Sequence, residues 1–139
     1  MAHMLGRVIN WWRDSRQWRR DHILAFSQAR KKSQDGLTLF QNKCLTAVAT
    51  YVPQGSFERV THPDGTLCLV APLDTQGTRL FIYDVEAGIY GQSGDLRYEE
   101  WDFRSPEDLI STIVRAVAEI VSFNRAFERD APHAARDSS

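Results

Sequence analysis

The strongest periodicity in the chain lies toward its C-terminal end. Ile110, Ile113, Val114, Val117, Ile120 and Val121 recur at three- and four-residue steps, which predicts an amphipathic helix to about Phe123. Its start is written chemically. Ser105 suits an N-cap, Pro106 the first helical position, and Glu107 and Asp108 place negative charge in the first turn. Asp108 stands three residues after Ser105, as in a capping box with a shorter acid than usual. A second helical period follows the turn residues Ser33-Gln34-Asp35-Gly36. There Leu37, Phe40, Cys44, Val48 and Tyr51 align, and Pro53 and the Gln54-Gly55 turn end the run. A competing reading makes Leu37 to Phe40 a short strand. Between about Leu5 and Lys32 there is no proline and only Gly6, so an N-terminal helix is predicted as well. Leu5, Ile9, Trp12, Ile23 and Phe26 follow one line along it, interrupted by Arg16 and Arg19. Val8, Trp11, Trp18, Ala25 and Ala29 form an adjoining face.

From Ser56 the period shortens to that of strands. Phe57 to Thr61 and Thr66 to Ala71 flank His62-Pro63-Asp64-Gly65, which fits a tight hairpin loop. Thr78 to Asp84 is rich in β-formers, and Glu86 to Tyr90 is a shorter strand. Leu96 to Phe103 alternates, with Leu96, Tyr98, Glu100 and Asp102 on one side and Arg97, Glu99, Trp101 and Phe103 on the other. Charge on both faces suits an exposed edge strand. The order predicts an α+β domain: an antiparallel four- to five-stranded sheet with two N-terminal helices and one C-terminal helix packed on it. Residues 1–4 read as a cloning scar and start, because Ala-His-Met often precedes a native Met in vector sequence. Residues 5–127 form the single domain and residues 128–139 a flexible tail.

Composition refines this picture in one respect. The 139 residues carry 17 Lys and Arg against 18 Asp and Glu, so the net charge of -1 excludes a uniformly basic nucleic-acid wrapper. The neutrality is a cancellation: the chain through Lys32 carries +6 and the remainder -7. The negative charge concentrates at Asp84, Glu86, Asp95, Glu99, Glu100, Asp102, Glu107 and Asp108, opposed within that stretch only by Arg97 and Arg104. No apolar run approaches the roughly 18 residues that would span a bilayer. Cys44 and Cys68 each sit in an apolar stretch and read as buried free thiols, which fits a reducing, cytoplasmic setting.

Catalytic chemistry finds little to work with. His22, His62 and His133 fall on a helix, a turn and the tail, without metal-ligand spacing. Cys44 with His62 is the one Cys–His pairing, and a thiol on an apolar helix stripe is normally inert. Gly88, Gly91 and Gly94 read as loop glycines, since no Lys-Ser/Thr follows to make a phosphate cradle. A glycosidase-like carboxylate pair requires a cleft and a raised pKa, which sequence does not display. No catalytic, cofactor-binding or metal-binding residues are therefore assigned, and no small-molecule substrate is expected. Trp11, Trp12 and Trp18 interleave with Arg13, Arg16, Arg19 and Arg20, a composition that suits membrane or nucleic-acid contact by the N-terminal helix as a minor alternative. Aromatics set among acids are the usual anchors of a protein interface. The candidate partner-binding residues are Asp84, Glu86, Tyr90, Asp95, Tyr98, Glu99, Glu100, Trp101 and Asp102.

The segments Leu80-Phe-Ile-Tyr-Asp84, Tyr98-Glu-Glu-Trp-Asp-Phe103 and Ser105-Pro-Glu-Asp108 resemble, in their cadence, small bacterial immunity proteins of toxin–immunity systems, including those of contact-dependent inhibition. The resemblance covers about Phe57 to Phe123. Some related families carry histidines in the aromatic strand, where this chain has Glu99, Glu100 and Trp101. It implies a non-catalytic protein that binds and neutralises a cognate toxin. For a nuclease toxin, an acidic inhibitor would take the place of phosphates in the basic cleft. The same order of elements is similar to YbjN-like and type III secretion chaperone folds, which implies a secretion chaperone or adaptor as the alternative.

Overall fold

Alternating apolar residues between positions 58 and 98 can bury one face of a sheet only if helices cover it, and the chain supplies three. The fold is given by a computed structural model that describes the backbone of residues 2–92 and 94–137 and the side chains of residues 16–92 and 94–126. Helices α1 (Ala2–Ala29) and α2 (Leu39–Val48) precede strands β1 (Glu58–Thr61), β2 (Leu67–Pro72), β3 (Arg79–Ile82), β4 (Ala87–Gly91) and β5 (Gly94–Tyr98). Helix α3 (Pro106–Asp137) closes the chain. Short 3₁₀ turns occupy Gln54–Ser56 and Glu100–Asp102. The five strands form an antiparallel meander in sequence order, so β1 and β5 are its edges.

Register decides which residues enter the core. Leu69, Ile82, Ala87 and Tyr98 stand opposite one another across β2 to β5, as do Ala71, Leu80, Ile89 and Leu96. This face packs against Phe26 of α1, Phe40, Cys44 and Val48 of α2, and Leu109, Ile113, Val117 and Val121 of α3. Each fully buried Leu, Ile, Val or Phe contributes about 1.5–3 kcal/mol. The opposite face carries Val70, Phe81, Tyr83, Tyr90 and Arg97, which are half-buried or exposed. Cys44 and Cys68 are free and buried. Burial pushes the Cys44 thiol far up and that of Cys68 to about 11, so neither is a nucleophile at neutral pH.

Several predicted boundaries shift, each for a physical reason. The predicted strand over Leu96 to Phe103 ends at Tyr98 and turns into the 3₁₀ segment. Tyr98 and Phe103, five residues apart, would face opposite ways in one strand; the turn changes the parity, and both pack on the core with ring centroids 6.4 Å apart. Leu37 to Phe40 is not a strand. Only an isolated bridge joins Lys32 to Thr38, and the helix begins at Leu39. Ile23, predicted on the apolar line of α1, is exposed, because the helix docks through Trp18, His22, Phe26 and Ala29. Gly88 and Gly91 belong to β4 and Gly94 opens β5, rather than lying in a loop. The α3 backbone continues to Asp137, past residue 128 where a tail is expected, with Pro132 inside the run. The side chains of Leu5 to Arg13 and of His133 lie outside the described residues. Ser105 does cap α3, accepting from the Asp108 amide at 3.2 Å.

A buried polar joint ties α2 to the sheet. The Thr38 hydroxyl accepts from the Gln41 amide and donates to the Asp84 carbonyl. The Gln41 side chain accepts from the Thr38 amide and donates to the carbonyls of Leu67 and Ile82, at 2.9 and 3.2 Å. This capping box therefore also supplies partners to carbonyls of β2 and β3. Substituting Gln41→Met keeps the volume and strips these bonds. It should lower unfolding free energy in a urea titration by about 2–4 kcal/mol, since buried backbone groups lose their partners. A loss below about 1 kcal/mol would show that water replaces the amide.

Candidate functional site

The acidic segment after β5 is positioned by the basic helix. Glu100 is only 7% exposed, and its carboxylate pairs with the Arg30 guanidinium at the end of α1. The Glu100 carbonyl accepts from His22 Nε2 at 2.9 Å, which places the proton on that nitrogen. The His22 imidazole is sandwiched between indoles. Trp18 stacks on it at 5.0 Å and 24°, and Trp101 at 4.9 Å and 18°, while Phe26 tilts against it at 4.5 Å. Stacked rings at these separations add about 0.5–1.5 kcal/mol per pair beyond the area they bury. The 3₁₀ turn is thereby clamped to α1. Trp101 remains 63% exposed beyond its stacked face, beside exposed Asp102.

On the uncovered sheet face, Tyr83, Glu86, Tyr90, Arg97, Tyr98 and Glu99 surround a depression of about 280 Å³. Its aromatic wall is built on a missing side chain. A Cβ at Gly88 would lie 2.7 Å from the Tyr90 ring, so only glycine lets that ring lie flat on β4. Phe81 meets Tyr90 edge-on at 5.0 Å, and the Arg97 Nε donates to the Tyr90 hydroxyl at 3.4 Å. Burial, followed by neighbouring Tyr90, pushes the Tyr83 phenol up to about 12. The Glu86 carboxyl is held above its usual range, by partial burial first and then by the charges of Glu99, Asp84 and Glu100. Arg30 counteracts them only in part. The acids here outnumber the one cation of the lining, Arg97, and with the aromatic walls they suit a cationic side chain of another molecule.

The structure divides the nine predicted contact residues. Glu86, Tyr90 and Glu99 line the depression; Tyr98 also borders it while its ring packs partly in the core. Asp84 lies at the adjoining β3–β4 turn, where its carboxylate accepts from the Val85 amide. Trp101 and Asp102 continue the surface on the 3₁₀ turn. Glu100 does not belong to it: its side chain points inward to Arg30 and holds the turn. Asp95 stands opposite Tyr90 in the β4–β5 register but does not line the depression; it borders a separate groove against α3. Sequence reasoning missed Tyr83 and Arg97, for which the signal was their shared parity with Phe81 and Tyr90 across the strands. Arg30 and His22 carried no signal, because their partner lies more than seventy positions along the chain in one case and seventy in the other. Protein-family models, curated proteins and solved structures return no match to the chain. Among the described residues, no helix is long and apolar enough to cross a membrane.

Two measurements test this electrostatic anatomy. Arg30→Met leaves a buried carboxylate without its cation, and should cost about 1–3 kcal/mol given the partial exposure of Arg30. The double variant with Glu100→Gln should recover part of that loss in a double-mutant cycle. The Glu86 carboxyl binds its proton more tightly in the fold than in the unfolded chain. Its ionisation therefore opposes folding as pH rises from the ordinary value of 4.5 through the raised one. Glu86→Gln should raise Tm at pH 7, and the gain should vanish in melts recorded below that ordinary value.

Proposed function

We propose that this chain is a non-catalytic, immunity-type inhibitor that binds a basic protein toxin through the surface built by Glu86, Tyr90, Glu99, Trp101 and Asp102. The observation that carries the reading is the negative charge at Glu86, Glu99 and Asp84, only partly offset by Arg30 and Arg97 and set among half-buried rings. Cations from a partner would relieve this repulsion, so part of the binding energy is stored in the free surface. Trp101 is held by the His22 stack before any partner arrives, which reduces the ordering cost of association. A nuclease suits such a surface, because its cleft is already shaped for phosphates. The cadence shared with toxin-immunity proteins supports the same reading.

A secretion chaperone or adaptor is the second reading, and one observation favours it. An apolar groove between β5 and α3 leaves Leu96 and Phe123 exposed, as a site for a partner segment would.

The deciding experiment is co-purification and calorimetry with the protein encoded immediately upstream of this chain. The triple reversal Glu86→Lys, Glu99→Lys, Asp102→Lys should weaken binding by about 100-fold and abolish protection from that protein's toxicity. Binding that persists unchanged in the triple variant would falsify the acidic-surface assignment. Loss on Phe123→Glu alone would favour the adaptor reading.

A further inference from the structure

A strand at the edge of a sheet carries backbone groups that no neighbouring strand takes up, and β5 is such an edge. The ladder fixes which groups these are. The Tyr83 amide donates to the Glu86 carbonyl at 2.8 Å, which closes the β3–β4 hairpin with a hydrogen-bonded pair. Antiparallel bonding alternates from there, so Gly88 and Tyr90 bond to β3, while Ala87, Ile89 and Gly91 bond to β5. Their partners Tyr98, Leu96 and Gly94 therefore use their backbone groups inside the sheet. The N–H and C=O of Asp95 and Arg97 point outward, and residues 94–97 are all exposed.

The side chains of this edge are complementary to themselves. An antiparallel strand identical to β5 and centred on Leu96 sets Asp95 of each copy opposite Arg97 of the other. These are the residues whose backbone groups face out, so each opposed pair exchanges both of its hydrogen bonds and joins a carboxylate to a guanidinium. Neither residue has an ion pair in its own chain: among the described residues the pairs are Arg30–Glu100 and Lys43–Glu107. Leu96 meets Leu96 of the second copy at a non-hydrogen-bonded position, where Cα atoms stand about 4.5 Å apart and side chains touch. It has surface to bury there. Ile89, opposite it on β4, is 3% exposed, whereas Leu96 is 51% exposed. The other edge of the sheet lacks this match. The His62 amide donates to the Thr66 carbonyl, so the same alternation turns Arg59 and Thr61 of β1 outward. Self-pairing there opposes Arg59 to Thr61 without an ion pair, and Arg59 already donates to the Asp35 carbonyl at 2.8 Å. Charge on an edge ordinarily repels a second copy; opposite charges two residues apart invert that effect.

We infer that two copies of this chain pair through β5 about a two-fold axis, joining two five-stranded sheets into one. The contact is isologous and closes as a dimer. Arg97 is also the one cation lining the depression beside Glu86 and Glu99. Asp95 of the second copy engages that cation and brings a further carboxylate to the rim of the site. The inference does not rest on the toxin reading, since the pairing is decided by the edge of the sheet and its test needs no other protein.

Sedimentation of the full chain over a wide concentration range should show a monomer–dimer equilibrium. Asp95→Arg or Arg97→Asp alone makes both cross-strand pairs repulsive and should raise the dimer Kd by about tenfold or more. Both substitutions in one chain restore opposite charges at each pair and should return the dimer. Mixing the two single variants in equal amounts should give a heterodimer, since one supplies the cations and the other the anions. Thermal melting checks that every variant is folded. Leu96→Cys reads the register: at the two-fold axis its thiols lie within reach of an intermolecular disulfide under mild oxidation, and the native Cys44 and Cys68 are buried. A chain that stays monomeric at every concentration, a dimer indifferent to the single reversals, or a double variant that stays dissociated would each overturn the inference. So would a dimer that Leu96→Cys fails to cross-link.

Discussion

Glu100 is the residue on which the site depends, because folding removes a carboxylate from water and must then satisfy it. Arg30 supplies the charge and His22 holds the backbone of the same residue. A buried acid left without its cation costs about 1–3 kcal/mol at this partly exposed pair, so α1 and the turn after β5 do not separate freely. That constraint ends β5 at Tyr98, converts Glu100–Asp102 into a 3₁₀ turn, and presents Trp101, Asp102 and Glu99 outward. It also answers how the two charged halves of the chain relate. Among the described residues they meet at the Arg30–Glu100 ion pair, and most of the acidic surface remains unneutralised by it.

The joint made by Thr38 and Gln41 performs the corresponding task for α2. Its hydrogen bonds to the carbonyls of Leu67, Ile82 and Asp84 fix the helix against one end of the sheet. Both joints sit at the same end of the strands, near Ile82, Ala87 and Tyr98. The other end is tied more lightly, through contacts such as the Asn124 side chain donating to the Leu73 carbonyl. The open groove lies at that lightly tied end. The helical layer is thus anchored where the acidic surface needs rigidity, and stops short where Leu96 and Phe123 remain uncovered.

Much of the fold was legible because it rests on local periodicity. The α3 stripe with its Ser105 cap, the hairpin at His62–Gly65 and the order of five strands follow from residues within a few positions of one another. The site was legible only in outline. A cluster of acids is visible in the sequence, but Glu100 differs from Glu99 through Arg30 and His22, and that difference decides which of them a partner can reach. Histidine 22 looked unremarkable for the same reason: its stacking partner Trp101 is distant in the chain.

The sequence by itself determined element type, order and the presence of opposed charged regions, since propensity, capping and period are properties of neighbours. Tertiary structure alone decided which charges are paired, which apolar residues stay exposed, and that Tyr90 can lie on Gly88. Those outcomes depend on side chains from separate elements arriving at one place. Desolvation and ring packing act only at that short range, after the chain has folded.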